Sequence, residues 1–278
     1  MAPPGHSPAE AFFLEAGTGS RYCLFHPPLR ECRGALVYIH PFAEEMNRSR
    51  RMAALAARAL AANGIGVLQI DLHGCGDSSG DFGDARWATW KSDVLLARDW
   101  LHTRLGCPVG LWGLRLGALL ALDCAREAHA DRLLLWQPVT NGSNYLTQQL
   151  RLRLAGDLVQ DESARASTAS LRAQLRAGTP LDIAGYTLSP ELALAIDQLD
   201  AATLAPVRGP VHWFEMIAAP GRALSPAAAR IAEAWRTAGA ELDLELVCGP
   251  QFWATPEITE SRELVEATVN AMRETAHV

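Results

Sequence analysis

The feature that most constrains this chain is an alternation of short, wholly apolar runs with longer amphipathic segments. Ala35–His40 (ALVYIH) is followed by a helical pattern over Ser49–Asn63, stopped by Asn63-Gly64. Then come Gly66–Leu72 (GVLQIDL), a helical Trp87–Leu105, Val109–Trp112, a helical Leu116–Glu127, and Leu133–Gln137 (LLLWQ). Strands without a polar face must be covered on both sides, which is the condition of a mostly parallel sheet between helix layers. Ahead of them, Ala11–Glu15 and Tyr22–His26 flank Gly17-Thr18-Gly19 and predict an opening hairpin. Beyond Pro138 the alternation lapses. Residues 142–205 hold helical pieces at Asn144–Leu154, Ser167–Ala177 and Pro190–Leu199, with no strand pattern among them. It resumes with Val211–Met216, a helix over Pro226–Thr237, Leu242–Val247 and a helix over Glu257–Thr275. The expected architecture is α/β: a doubly wound, mostly parallel sheet built from residues 1–141 and 206–278, with a helical cap, 142–205, inserted after the sixth strand.

A chain of 278 residues can bury one large core. Its net charge of −6 argues against general nucleic-acid binding. Lys91 is the only lysine. That skew toward arginine is compositional, so arginine counts are no sign of phosphate binding. The six cysteines (23, 32, 75, 107, 124, 248) show no Cys-x-x-Cys spacing, and Cys107 and Cys124 lie in or beside apolar segments, so reduced thiols and a reducing compartment are expected. MAPPGHSPAE lacks the basic and apolar regions of a signal peptide, and no apolar run approaches the roughly 20 residues of a membrane span. A soluble, cytoplasmic protein is expected. His73, Cys75 and Asp77 alternate too tightly for zinc, so neither a metal nor another cofactor is expected.

The chemistry-bearing stretch is GLWGLRLGALLALD, Gly110–Asp123. Within it Gly113-Leu114-Arg115-Leu116-Gly117 has the spacing of a nucleophile elbow, Gly-x-Ser-x-Gly, between a strand and a helix. Small residues two before and two after the nucleophile answer to crowding at that bend. Arginine stands in the serine's place, and a guanidinium that stays protonated cannot be a nucleophile. Asp71-Leu72-His73-Gly74-Cys75-Gly76-Asp77-Ser78-Ser79-Gly80 and His40-Pro41-Phe42 follow strands in the same order as the corresponding loops of α/β-hydrolases, the second of which supplies an oxyanion-hole amide there. From about Ala35 onward the chain resembles that superfamily.

A narrower resemblance is carried by His40-Pro41-Phe42-Ala43-Glu44-Glu45-Met46-Asn47-Arg48-Ser49-Arg50-Arg51-Met52, Gly113–Ala118, Leu135-Trp136-Gln137-Pro138-Val139 and Gly249-Pro250-Gln251-Phe252-Trp253. These are similar to the exosortase A system-associated hydrolases of type 2. The resemblance implies an α/β-hydrolase fold, a bacterial exosortase and exopolysaccharide neighbourhood, and a second α/β-hydrolase nearby.

The usual triad positions are empty. No carboxylate stands at Ala218-Ala219-Pro220, and Glu215 is the nearest. The base position after the last strand falls on Gln251 or Phe252, and the only histidine beyond His212 is His277. A cation at a helix N-terminus needs a negative partner. For Arg115 two partners stand open: an internal one, Glu44 or Glu45, or a ligand carboxylate or phosphate gripped with help from the helix-end amides. The catalytic candidates are His40, as base or as a satisfied structural group, Glu44, and Cys75, beside His73 in a glycine-flanked turn. Ser78, Ser79 and Ser143 read as turn or cap residues. The expected pocket comprises Arg115, Leu116, Phe42, Glu45, Gln251 and Trp253. Trp136, Trp213, Phe252 and Trp253 read mostly as core, and Arg151, Arg153, Arg172 and Arg176 as a solvated cap face. The functional expectation is a degenerate hydrolase that binds a small anionic acyl or ester-like ligand or a partner hydrolase. The alternatives are an active hydrolase or acyltransferase using His40, Cys75 or Glu44 with amides near Phe42 and Leu116 as oxyanion donors, and a small-molecule sensor.

Overall fold

The structure is a computed structural model that describes residues 9–159, 167–205 and 209–274. The opening hairpin pairs β1 (Glu10–Ala16) with β2 (Gly19–His26). There follow β3 (Gly34–Ile39), α1 (Glu44–Ala62), β4 (Ile65–Ile70), α2 (Trp87–Leu105), β5 (Val109–Leu114), α3 (Leu116–Cys124) and β6 (Leu133–Trp136). The sheet has eight strands in the order β1-β2-β4-β3-β5-β6-β9-β10, where β9 is Val211–Ile217 and β10 is Leu242–Cys248. All neighbours from β4 to β10 run parallel; β2 joins β4 antiparallel. β3 and β5 are buried along their whole length, as apolar strands covered on both faces must be. α3 is buried at every position except Asp123, so its all-round apolar composition is that of an interior helix. α7 (Pro226–Thr237) and α8 (Arg262–Glu274) complete the outer layers.

The segment between β6 and β9 carries α4 (Gly142–Val159), α5 (Thr168–Arg176) and α6 (Pro190–Asp197). It leaves and returns at one place, where Ala201 N–H donates to Thr140 O (2.9 Å) and Gly142 N–H to Leu199 O (2.8 Å). One expectation fails here: the segment contains strands. β7 (Leu181–Ile183) and β8 (Tyr186–Leu188) form a hairpin whose two turn residues, Ala184 and Gly185, both have positive φ. That is the backbone of a tight two-residue hairpin turn, and three-residue strands are too short to show an alternation. Arg172 also departs from a solvated face. It is mostly buried, ion-paired with Asp197 and hydrogen-bonded to Ser143 and Thr147, tying α4, α5 and α6 together. Arg151 and Arg176 are exposed.

Two helices begin away from their expected positions. α1 starts at Glu44 rather than near Ser49, because Ala43 turns the chain with φ 48° and puts two acidic residues in the first turn, where the helix dipole favours them. α8 starts at Arg262 rather than Glu257: Ser261 Oγ accepts from Leu264 N–H (3.2 Å), while Thr255 Oγ1 donates to Glu257 O (2.9 Å) in the preceding turn. His277 and Thr275 lie outside the described residues.

Candidate functional site

The bend between β5 and α3 has the geometry expected of an elbow. Arg115 has φ 55° and ψ −117°, a conformation costly for a side-chain-bearing residue and kept only where its surroundings enforce it. They do so through two glycines. A Cβ on Gly113 would lie 2.4 Å from Ala118 Cα, and one on Gly117 would lie 2.3 Å from Ile39 O and 2.5 Å from His40 O. Ala43 and Gln137, at the carboxyl ends of β3 and β6, also have positive φ. Three strained non-glycine residues thus line one edge of the sheet.

The Arg115 side chain is 17% exposed. Its guanidinium carbon lies 5.7 Å from the centre of the Tyr145 ring and 5.5 Å from that of Trp253, so the planar cation is framed by two aromatic groups. The charge partner is Glu45, with Arg115 Nε 3.5 Å from its Oε1. This separation falls short of a good hydrogen bond, and Nε is buried without a hydrogen-bond partner. Tyr145 Oη donates to the other Glu45 oxygen (3.3 Å). Burial pushes the Glu45 carboxyl above its ordinary value, opposed by Arg115; burial likewise pushes the Tyr145 phenol well up. On the far side Glu215 accepts from Trp213 Nε1 (3.0 Å) and Gln137 Nε2 (2.5 Å), and its carboxyl is also raised by burial, with Arg115 again opposing. Among the described residues neither the Phe42 nor the Leu116 N–H donates a backbone hydrogen bond.

The structure therefore brings Arg115, Glu45 and Trp253 together, with buried Phe42 and Leu116 beside them. It leaves out four other expected residues. Gln251 is exposed and takes part in neither the ion pair nor the ring contacts of Arg115. Glu44, one residue round the helix from Glu45, turns instead to β8, accepting from Tyr186 Oη (3.2 Å), and pairs with Arg48 (3.6 Å). His40 is the satisfied structural group rather than a free base. Its Nε2 accepts from Leu72 N–H (3.2 Å), which leaves Nδ1 to donate to Pro41 O (2.8 Å), and burial lowers its pKa. Cys75 is buried, and desolvation together with Asp71 and Asp93 pushes its thiol far up, so it carries no nucleophilic thiolate. Its turn is structural. Ser78 Oγ donates to Asp71 O (2.5 Å) and accepts from Tyr22 N–H (2.9 Å), while Asp71 also pairs with Arg50 (3.1 Å). No described histidine follows β10.

Sequence reasoning missed Tyr145. An aromatic residue in the first turn of α4, the helix that follows β6 beyond the carboxyl edge of the sheet, is the signal that points to it.

The sequence profile described as "Serine aminopeptidase, S33" matches residues 30–179, more than half of the chain and all of the elbow. The chain belongs to this family. Solved structures similar to this S33-family chain include Est1E from Butyrivibrio proteoclasticus with ferulic acid bound (16% identity, 95% of this chain and 98% of that one, TM-score 0.71). A soluble variant of monoglyceride lipase from Saccharomyces cerevisiae in complex with a substrate analogue is also similar (17%, 99% and 98%, TM-score 0.64). At such identities the likeness shows the shared α/β-hydrolase fold. Human Protein ABHD12B is 31% identical over 133 residues, which are 46% of this chain and 35% of that protein. The chain thus spans about a third of the curated relative it matches.

Proposed function

We propose that this S33-family chain uses its elbow to bind rather than to attack: Arg115 holds the carboxylate of a small acyl or ester-like ligand, with the amides of Phe42 and Leu116 as further donors. The observation that carries this reading is the state of the guanidinium. It is mostly buried and aromatic-framed, yet its carboxylate neighbour stands at 3.5 Å and its Nε makes no hydrogen bond. An arginine committed to an internal pair would close to about 2.7–2.9 Å, often through two nitrogens. Glu45 competes with the ligand. When an anion takes the guanidinium, burial drives Glu45 toward its protonated form, so binding strengthens as pH falls. The motif resemblance to exosortase A system-associated hydrolases supports a bacterial setting and a second α/β-hydrolase as partner, which co-purification at micromolar concentration tests; the free cysteines fit a cytoplasmic location.

The unpaired amides favour one other reading, an ester hydrolase or acyltransferase, since such donors suit a developing oxyanion. With His40 and Cys75 both closed off, the base at the elbow in this reading is Glu45, the carboxylate paired with Arg115. A thermal-shift series and an ester assay separate the two. Octanoate is expected to raise Tm while octanol at equal concentration does not, and p-nitrophenyl butyrate turnover is expected at background. Turnover abolished by Glu45→Gln would establish the enzymatic reading, and equal shifts with octanoate and octanol would remove the carboxylate reading.

A further inference from the structure

At the sheet edge opposite the elbow, two cysteines far apart in sequence meet. Cys32 precedes β3 and Cys107 precedes β5. These strands are parallel neighbours with Ala35 opposite Val109, and Ala35 N–H donates to Pro108 O (2.9 Å), which sets the two preceding turns side by side. The Cys32 thiol points at Cys107 Sγ with the sulfurs 2.8 Å apart, less than 1 Å longer than the ~2.04 Å of a disulfide bond. Cys32 is half-buried and Cys107 nearly covered. The other cysteines differ: Cys23, Cys75 and Cys124 are buried, and Cys248 is exposed.

We propose that Cys32 and Cys107 are a reversible redox pair that closes to a disulfide when hydrogen peroxide is the oxidant. The more accessible Cys32, as thiolate, attacks a peroxide oxygen; the O–O bond breaks, Cys32 becomes a sulfenic acid, and the departing hydroxide takes up the released proton as water. Cys107 sulfur then attacks Cys32 sulfur, the S–O bond breaks, and the hydroxyl leaves as water with the Cys107 proton. Two thiols have lost two electrons and the peroxide has been reduced to water. Burial and the neighbouring Cys32 push the Cys107 thiol up to about 12, which agrees with its acting second. The bond would close a loop holding β3, α1, β4 and α2 and link two central strands without touching the elbow.

The test uses the full chain with Cys248→Ser, which removes the exposed thiol. After hydrogen peroxide and alkylation, peptide mapping is expected to show a Cys32–Cys107 cross-linked peptide that dithiothreitol removes, with Tm raised by roughly 5–10 °C. In Cys107→Ala the Cys32 sulfenic acid loses its resolving thiol and is expected to be trapped by dimedone. Protein that stays folded through the treatment but yields no 32–107 peptide, with Cys32 unmodified or oxidised to sulfinic acid, overturns the proposal.

Discussion

Arg21 and Arg115 are both largely buried beside a carboxylate, one on β2 of the opening hairpin and the other at the elbow. Arg21 Nε lies 2.7 Å from Asp93 Oδ1, and its terminal nitrogens donate to Thr18 O and Thr18 Oγ1, each at 2.8 Å. The other Asp93 oxygen accepts from His73 N–H (2.8 Å). Every part of that pair is used, at 1% and 2% exposure. Arg115 keeps the charge and the burial but has aromatic faces in place of acceptors, and its carboxylate stands off. A structural arginine has its donors satisfied within the chain. The elbow arginine has not, and that contrast underlies the binding assignment.

Two substitutions probe the contrast directly. Arg21→Ala leaves Asp93 buried and unpaired, so chemical denaturation is expected to show a loss of about 3–5 kcal/mol. Arg115→Gln is expected to cost less than about 2 kcal/mol, because the cation–aromatic contacts are individually modest and Glu45 can protonate. Equal losses at the two sites would break the comparison.

Glu45→Gln sharpens it through pH. The folded-state carboxyl of Glu45 lies above its ordinary 4.5, so the folded protein holds a proton that the unfolded chain releases. Its contribution is fully present below that ordinary value and is lost as pH rises through the raised folded value. The variant is expected to show a shallower loss of stability over that interval than wild type; identical profiles would mean that Glu45 is not held protonated by burial. The smallest effect belongs to Glu44→Ala. Its Arg48 ion pair is exposed, so the expected change is under about 0.5 kcal/mol by the same denaturation measurement.

Much of the fold was legible because its signals are local. α2 and α7 have their expected limits, the first ended by Gly106 in a left-handed conformation and the second begun by Ser225 and Pro226. The elbow bend was legible from Gly113 and Gly117 together with the strand pattern before them and the helix pattern after. The partners of Arg115 were not. Choosing Glu45 over Glu44 depends on the phase of α1, which Ala43 sets with an unusual backbone angle that no local propensity announces. Tyr145 reaches the site from the inserted segment, and the facing of Cys32 and Cys107 needs the parallel register of β3 and β5. His40 was visible as a candidate, but the Leu72 amide that closes it comes from another strand's end.

The most direct measurement is calorimetric titration of octanoate into wild type and into Arg115→Gln at pH 6. If the guanidinium is the carboxylate-holding group, the substitution weakens binding by about 10–100-fold, the worth of a charged hydrogen bond. Equal dissociation constants for the two proteins would contradict the assignment.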